Sequence, residues 1–154
     1  MPSGSENTVY VSGYGKKQTL CEGFGLQIEA YFEQIQKIID DCPVIQSSNM
    51  TYDKRGTHEG FLRGEISFAD ESILHLREFV DVETSIDRLT YVYQYMNPAK
   101  KLVFRYDNTG HGKKSNIPTH PHHKHEGSED NIASSLAPDL AAVLNEIEAL
   151  VQLP

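Results

Sequence analysis

The chain has 154 residues, 38% of them hydrophobic and 23% charged, and a net charge of −8, which is the size and polarity of one globular domain with a single core. The negative total argues against a protein that coats nucleic acid indiscriminately, and no apolar run approaches the roughly 20 residues that span a bilayer. Cys21 and Cys42, outside any CxxC pair, make no disulfide framework, and MPSGSENTVY shows no basic-then-apolar signal pattern, so the expected setting is the reducing cytoplasm, away from membranes.

Residues 1–24 are rich in Gly, Ser, Lys and Asn and read as a mobile N-terminal arm, although TVYVSGY could pair as an edge strand. Residues 25–154 are expected to form one domain. Ile28, Tyr31, Phe32, Ile35, Ile38, Ile39 and Cys42 recur at three and four residues, which predicts a helix from Leu26 that Pro43 ends. Beyond it the period becomes two. In EGFLRGEISFA one face holds Leu62, Gly64, Ile66 and Phe68, and Asp70-Glu71-Ser72 turns the chain into ILHLREFVDVE. LTYVYQYM places Leu89, Tyr91, Tyr93 and Tyr95 together, Asn97-Pro98 turns again, and KKLVFRYDN supplies a fourth strand. VIQSSNMTY could add a fifth ahead of these. Short connections favour an antiparallel meander. After a polar loop, Leu140, Val143, Leu144, Ile147, Leu150 and Val151 form a second helical stripe, with Pro138 placed in its first turn. The expected fold is α+β: a four- to five-stranded antiparallel meander with an N-terminal and a C-terminal helix packed on one face.

Three features break these patterns. Glu78 stands on the aliphatic parity between Leu76 and Val80, where a lone carboxylate is costly; it is either a core acid paired with a cation or a base or metal ligand on a rigid strand. Arg105 and Asp107 share a face at the end of the fourth strand, as a site would require and as a surface ion pair would equally allow. Third, five of the seven histidines, His111, His120, His122, His123 and His125, lie in one stretch. Residues 100–125 carry Lys100, Lys101, Arg105, Lys113, Lys114 and Lys124 against Asp107 alone, a local cationic segment on an acidic body.

In extended backbone, residues two apart point the same way, so His123 pairs with His125 and His120 with His122. Three readings follow. The set His120, His122, His123 and His125, with Glu78 or Asp107, could ligate a divalent zinc or manganese ion, although a structural zinc site would usually bring cysteines. Paired imidazoles could instead serve as acid and base on a phosphate held by Arg105, Lys113, Lys114 and Lys124, with no cofactor. The third reading is an inert polar loop.

LHLREFV, TYVYQY, LVFRYDN, a following Gly-His and PHHKH together resemble the TumE family of small toxins from bacterial and archaeal toxin–antitoxin pairs. The resemblance covers about residues 60–135. By position it carries Glu78, Tyr91, Tyr93, Tyr95, Arg105, Tyr106, Asp107, Asn108, His111, His122, His123 and His125. The long segment before Leu26 and the lysines at 113 and 114 lie outside it. It implies a cytoplasmic toxin neutralised by a cognate antitoxin protein.

Taken with the residues, the resemblance leads to the expectation of a type II toxin that cleaves RNA without metal. Glu78 or a histidine among His122, His123 and His125 would take the 2′-hydroxyl proton, and Arg105 and a loop lysine would steady the phosphate. His111 would protonate the leaving oxygen, Asp107 would complete the site, and Tyr91 and Tyr93 would stack bases. The alternatives are a metal-dependent hydrolase or metal-binding protein and a non-enzymatic binding module; association as a homodimer stays open.

Overall fold

In a computed structural model the described residues are 25–110 and 117–151. Helix α1 spans Ile28–Asp40 and buries Ile28, Tyr31, Ile35 and Ile39, the stripe expected from their spacing. It turns at Asp41, whose backbone N–H bonds back to the carbonyl of Lys37 while that of Cys42 bonds to Ile39, and Pro43 prevents continuation.

Seven antiparallel strands follow in spatial order equal to sequence order: β1 Ile45–Lys54, β2 Glu59–Phe68, β3 Ile73–Asp81, β4 Asp87–Met96, β5 Leu102–Asp107, β6 His123–Glu126 and β7 Ile132–Ser134. The meander is thus longer than four or five strands. The two additional ones, β6 and β7, have four and three residues and lie in polar sequence, too short for an alternating apolar signal. Between β2 and β3, Asp70 accepts from the backbone and hydroxyl of Ser72 while Glu71 takes a positive φ of 74°. Between β4 and β5, Asn97 accepts from the backbones of Ala99 and Lys101. Both turns are side-chain-built, as Asp and Asn favour.

Helix α2, Leu140–Leu150, is capped by Asp139, whose carboxylate accepts from the Ala142 backbone at 3.0 Å. Pro138 therefore precedes the cap instead of standing in the first turn. Both helices cover one face of the sheet. Their buried residues join Leu62, Ile66, Leu74, Val80, Tyr93 and Phe104 in one core. Cys42 packs at its margin. Helix α1 sits close on β2: a methyl group at Gly60 would come within 2.5 Å of Phe32 and 2.7 Å of Ile28. No helix among the described residues is long and apolar enough to cross a membrane. The expected mobile arm over residues 1–24 lies outside the described residues.

Candidate active site

Residues directly opposite one another on neighbouring strands project to the same side. On the face away from the helices, one such row runs Thr51, Arg63, Arg77, Val92, Asp107, His123. The adjacent row runs Asn49, Glu65, His75, Gln94, Arg105, His125. Over β1–β4 these rows line a shallow groove of about 660 Å³ that includes Arg63, Arg77, His75 and Gln94. Arg63 and Arg77 are exposed, stand directly opposite each other, and make no ion pair among the described residues.

At the β5–β6 end the groove gives way to a buried cluster. Asp107, His123 and His125 are 1%, 7% and 4% exposed. Asp107 Oδ1 accepts from the Thr109 backbone and hydroxyl at 3.0 and 2.9 Å, and lies 3.0 Å from His123 Nε2. Asp107 Oδ2 accepts from Arg105 Nε at 3.0 Å and faces His125 Nε2 at 4.0 Å. Each imidazole is oriented from behind. His123 Nδ1 donates to the Pro121 carbonyl and His125 Nδ1 to the Glu129 carbonyl, both at 2.8 Å. Arg105 also donates to Gln94 Oε1 at 3.1 Å, joining the cluster to the groove. The two remaining guanidinium edges grip the exposed Glu129 carboxylate at 2.7 Å each, and that hydrogen bonding holds the Glu129 carboxyl below its ordinary value.

The opposite, helix-covered face holds a separate constellation. Glu78 is fully buried and accepts from the hydroxyls of Tyr31 and Tyr93, both at 2.5 Å. Burial raises its carboxyl pKa despite these donors. The cation nearest this network is Arg88, which sequence reading missed. The pairing slips between Phe79–Thr90 and Val80–Arg88, so Leu89 is an extra residue on β4 and Arg88 is turned to the core side. There Arg88 donates to Tyr93 at 3.0 Å and to the carbonyls of Pro138 and Ala137 at 2.9 and 2.8 Å, and its guanidinium lies 4.3 Å from the Tyr91 ring centre. The same slip leaves Leu89 exposed at 42%, off the tyrosine face it was expected to share. A bulge has no sequence period, so the only hint was the arginine itself at a strand end.

The fold thus brings Arg105, Asp107, His123 and His125 together and separates them from Glu78 by the thickness of the sheet. His122 goes with the second group: its Nδ1 is 2.9 Å from the Tyr91 hydroxyl and its ring stacks on that tyrosine. Tyr91 and Tyr93 are 1% and 0% exposed and present no ring for a base to stack on, contrary to the sequence expectation; burial pushes the Tyr91 hydroxyl up to about 12. Lys124 points to the helix side, over the Tyr106 ring and towards Glu146 at 3.4 Å, so it does not hold a phosphate beside Arg105. His120 is exposed. His111, Lys113 and Lys114 lie outside the described residues.

Sheet and cluster together define a small α+β protein with a histidine–carboxylate centre on the open face of a meander. The family model described as Toxin TumE matches residues 35–151, well over half of the chain, and the protein belongs to the TumE toxin family. It is thereby a toxin-family member whose setting is a toxin–antitoxin system and whose implied partner is a cognate antitoxin. Comparison with curated proteins and with solved structures gave no match.

Proposed function

We propose that this toxin acts by cleaving RNA, and that the chemistry takes place at Arg105, Asp107, His123 and His125. What carries this reading is one arrangement: a guanidinium and two imidazoles set round a buried carboxylate, at the end of a groove with two exposed arginines that make no ion pair among the described residues. Phosphodiester cleavage by the neighbouring 2′-hydroxyl needs a proton acceptor, positive charge where the pentacoordinate phosphorus gains negative charge, and a proton for the departing 5′-oxygen. The His–Asp cluster supplies the acceptor. Arg105 supplies the charge once a phosphate takes the two donors that its exposed partner Glu129 now holds. His111, Lys113 and Lys114 keep their expected roles as proton donor and phosphate holders.

Arg63 and Arg77 fit the same reading. Like charges directly opposite on a sheet cost stability, and an anion lying over the Arg63–Arg77 pair would relieve that cost. Strands are about 4.8 Å apart, which puts Arg77 two strands, roughly 10 Å, from Asp107. A single-stranded RNA backbone could follow that row from groove to cluster.

Two assays test this. In cells, induced expression of the intact chain should arrest growth, while His123→Ala combined with His125→Ala, or Arg105→Ala alone, should not. In vitro, the full chain should release RNA fragments ending in 2′,3′-cyclic phosphate. Arrest at full strength by the double variant would remove the active-site assignment and leave a non-enzymatic binding module.

A further inference from the structure

The strongest unexplained feature is His125 Nε2: buried, with no hydrogen-bond partner among the described residues, in a ring only 4% exposed. Leaving such a buried nitrogen unmet costs stability, so something has to face it. Its chemical state is set by the other nitrogen. A carbonyl can only accept, so Nδ1 carries the hydrogen in both His123 and His125. In the neutral rings both Nε2 atoms then present lone pairs, and both are aimed at the Asp107 carboxylate. Three electron-pair donors thus converge on one point. A proton on His123 would answer its 3.0 Å contact with Oδ1, but it leaves His125 unmet across 4.0 Å.

We propose that Asp107, His123 and His125 bind one divalent transition-metal ion, zinc or manganese. The ligand atoms of the three residues all lie within 4.8 Å of one another. The 4.0 Å between Asp107 Oδ2 and His125 Nε2 is too long for a hydrogen bond. An ion with tetrahedral bonds of about 2.0–2.1 Å holds its ligand atoms about 3.3–3.4 Å apart, so one ion bound between them closes this gap by less than about 1 Å. Two imidazoles and one carboxylate are a donor set for first-row transition ions and not for calcium or magnesium, which prefer all-oxygen shells. The outer shell is already in place: backbone carbonyls on both Nδ1 atoms, and Thr109 and Arg105 on the carboxylate. His120 and His122, which sequence spacing also offered as ligands, are not in the set. His122 faces Tyr91 on the other side of the sheet.

The binding itself is independent of the RNA-cleaving reading; its catalytic meaning rests on that reading. With the ion present, the proton acceptor at this site becomes a metal-bound water or hydroxide, and the metal joins Arg105 in stabilising the phosphorane.

The test uses the full chain without a histidine tag, stripped with EDTA, dialysed and titrated with zinc chloride and with manganese chloride. Binding is followed by calorimetry and metal content by elemental analysis. One equivalent is expected for at least one of the two ions. Asp107→Asn and His125→Ala should weaken it by more than the roughly 10–100-fold typical of outer-shell changes, and His120→Ala should leave it unchanged. His125→Gln, which keeps a polar group in the space, serves if the alanine variant fails to fold, as judged by circular dichroism. Absence of a stoichiometric site in the intact chain, or wild-type affinity in folded Asp107→Asn and His125→Gln, overturns the inference. Metal bound at one equivalent without RNA cleavage upholds this site and sinks the nuclease reading. RNA cleavage by metal-free protein in EDTA, together with no stoichiometric site in the titrated intact chain, does the reverse.

Discussion

Single residues in this protein are set by what surrounds them on one side of the sheet. Arg105 is the instructive case, because its guanidinium is divided between a buried carboxylate and an exposed one. Asp107, at 2% side-chain exposure, is the fixed partner; Glu129, at 62%, is the replaceable one. Glu129→Ala should therefore preserve or strengthen growth arrest by freeing two donors for phosphate, whereas Arg105→Ala should abolish it; dose–response growth curves under induced expression check both. Equal loss in the two variants would make the Glu129 contact part of the working site. Glu78 gives a prediction of the other kind. Burial raises its carboxyl above the ordinary 4.5, so the folded chain holds that proton more tightly than the unfolded one. The contribution to stability is whole below the unfolded value and is lost as pH rises through the raised folded value. Glu78→Gln carries no charge at any pH, so its melting temperature relative to the intact chain should improve as pH rises from the ordinary carboxylate range through the raised folded value. A difference independent of pH would show that Glu78 keeps an ordinary pKa in the fold. The same variant should retain growth arrest, since Glu78 is on the far side of the sheet from the cluster.

At the level of elements, the helices are held by caps and by close approach to the sheet. Asp139 is the side-chain cap of α2, and Asp139→Ala should cost about 1 kcal/mol in urea unfolding with an unchanged m-value. Gly60 is where α1 meets β2, and Gly60→Val forces Phe32 and Ile28 to move. Overpacking of that sort costs typically 1–3 kcal/mol, so thermal unfolding should begin several degrees lower, and an unchanged midpoint would mean that the helix rides freely over the strand. The β4 bulge has a functional corollary. By turning Arg88 into the core it ties the end of β4 to the backbone ahead of α2 through two carbonyls, and it leaves Glu78 with a nearby cation. The acid that stood out in the sequence is thus answered structurally, by two tyrosines and the arginine immediately before the extra residue.

For the molecule as a whole, the sequential meander has among the described residues two edge strands, β1 and β7, and a face without helices. Hydrogen exchange should be slowest in β2–β4, whose strands are long and paired on both sides, and fastest in the three-residue β7. Antitoxin binding that masks the site should slow exchange in β5 and β6; protection confined to the helices would place neutralisation elsewhere. Much of this architecture was legible in residue periods alone: α1, α2, the first five strands and their turns, the shared face of Arg105 and Asp107, and the pairing of His123 with His125. Those are local statements, because spacings of 3.6 and 2 are properties of a few consecutive residues. The tertiary structure alone decided that the histidine stretch extends the sheet by two strands, that His122 stacks on Tyr91, and that Glu78 is packed with tyrosines instead of imidazoles. Which face the helices cover depends on all the strands at once, and a single bulge in β4 redirects an arginine without leaving any mark on the alternation around it.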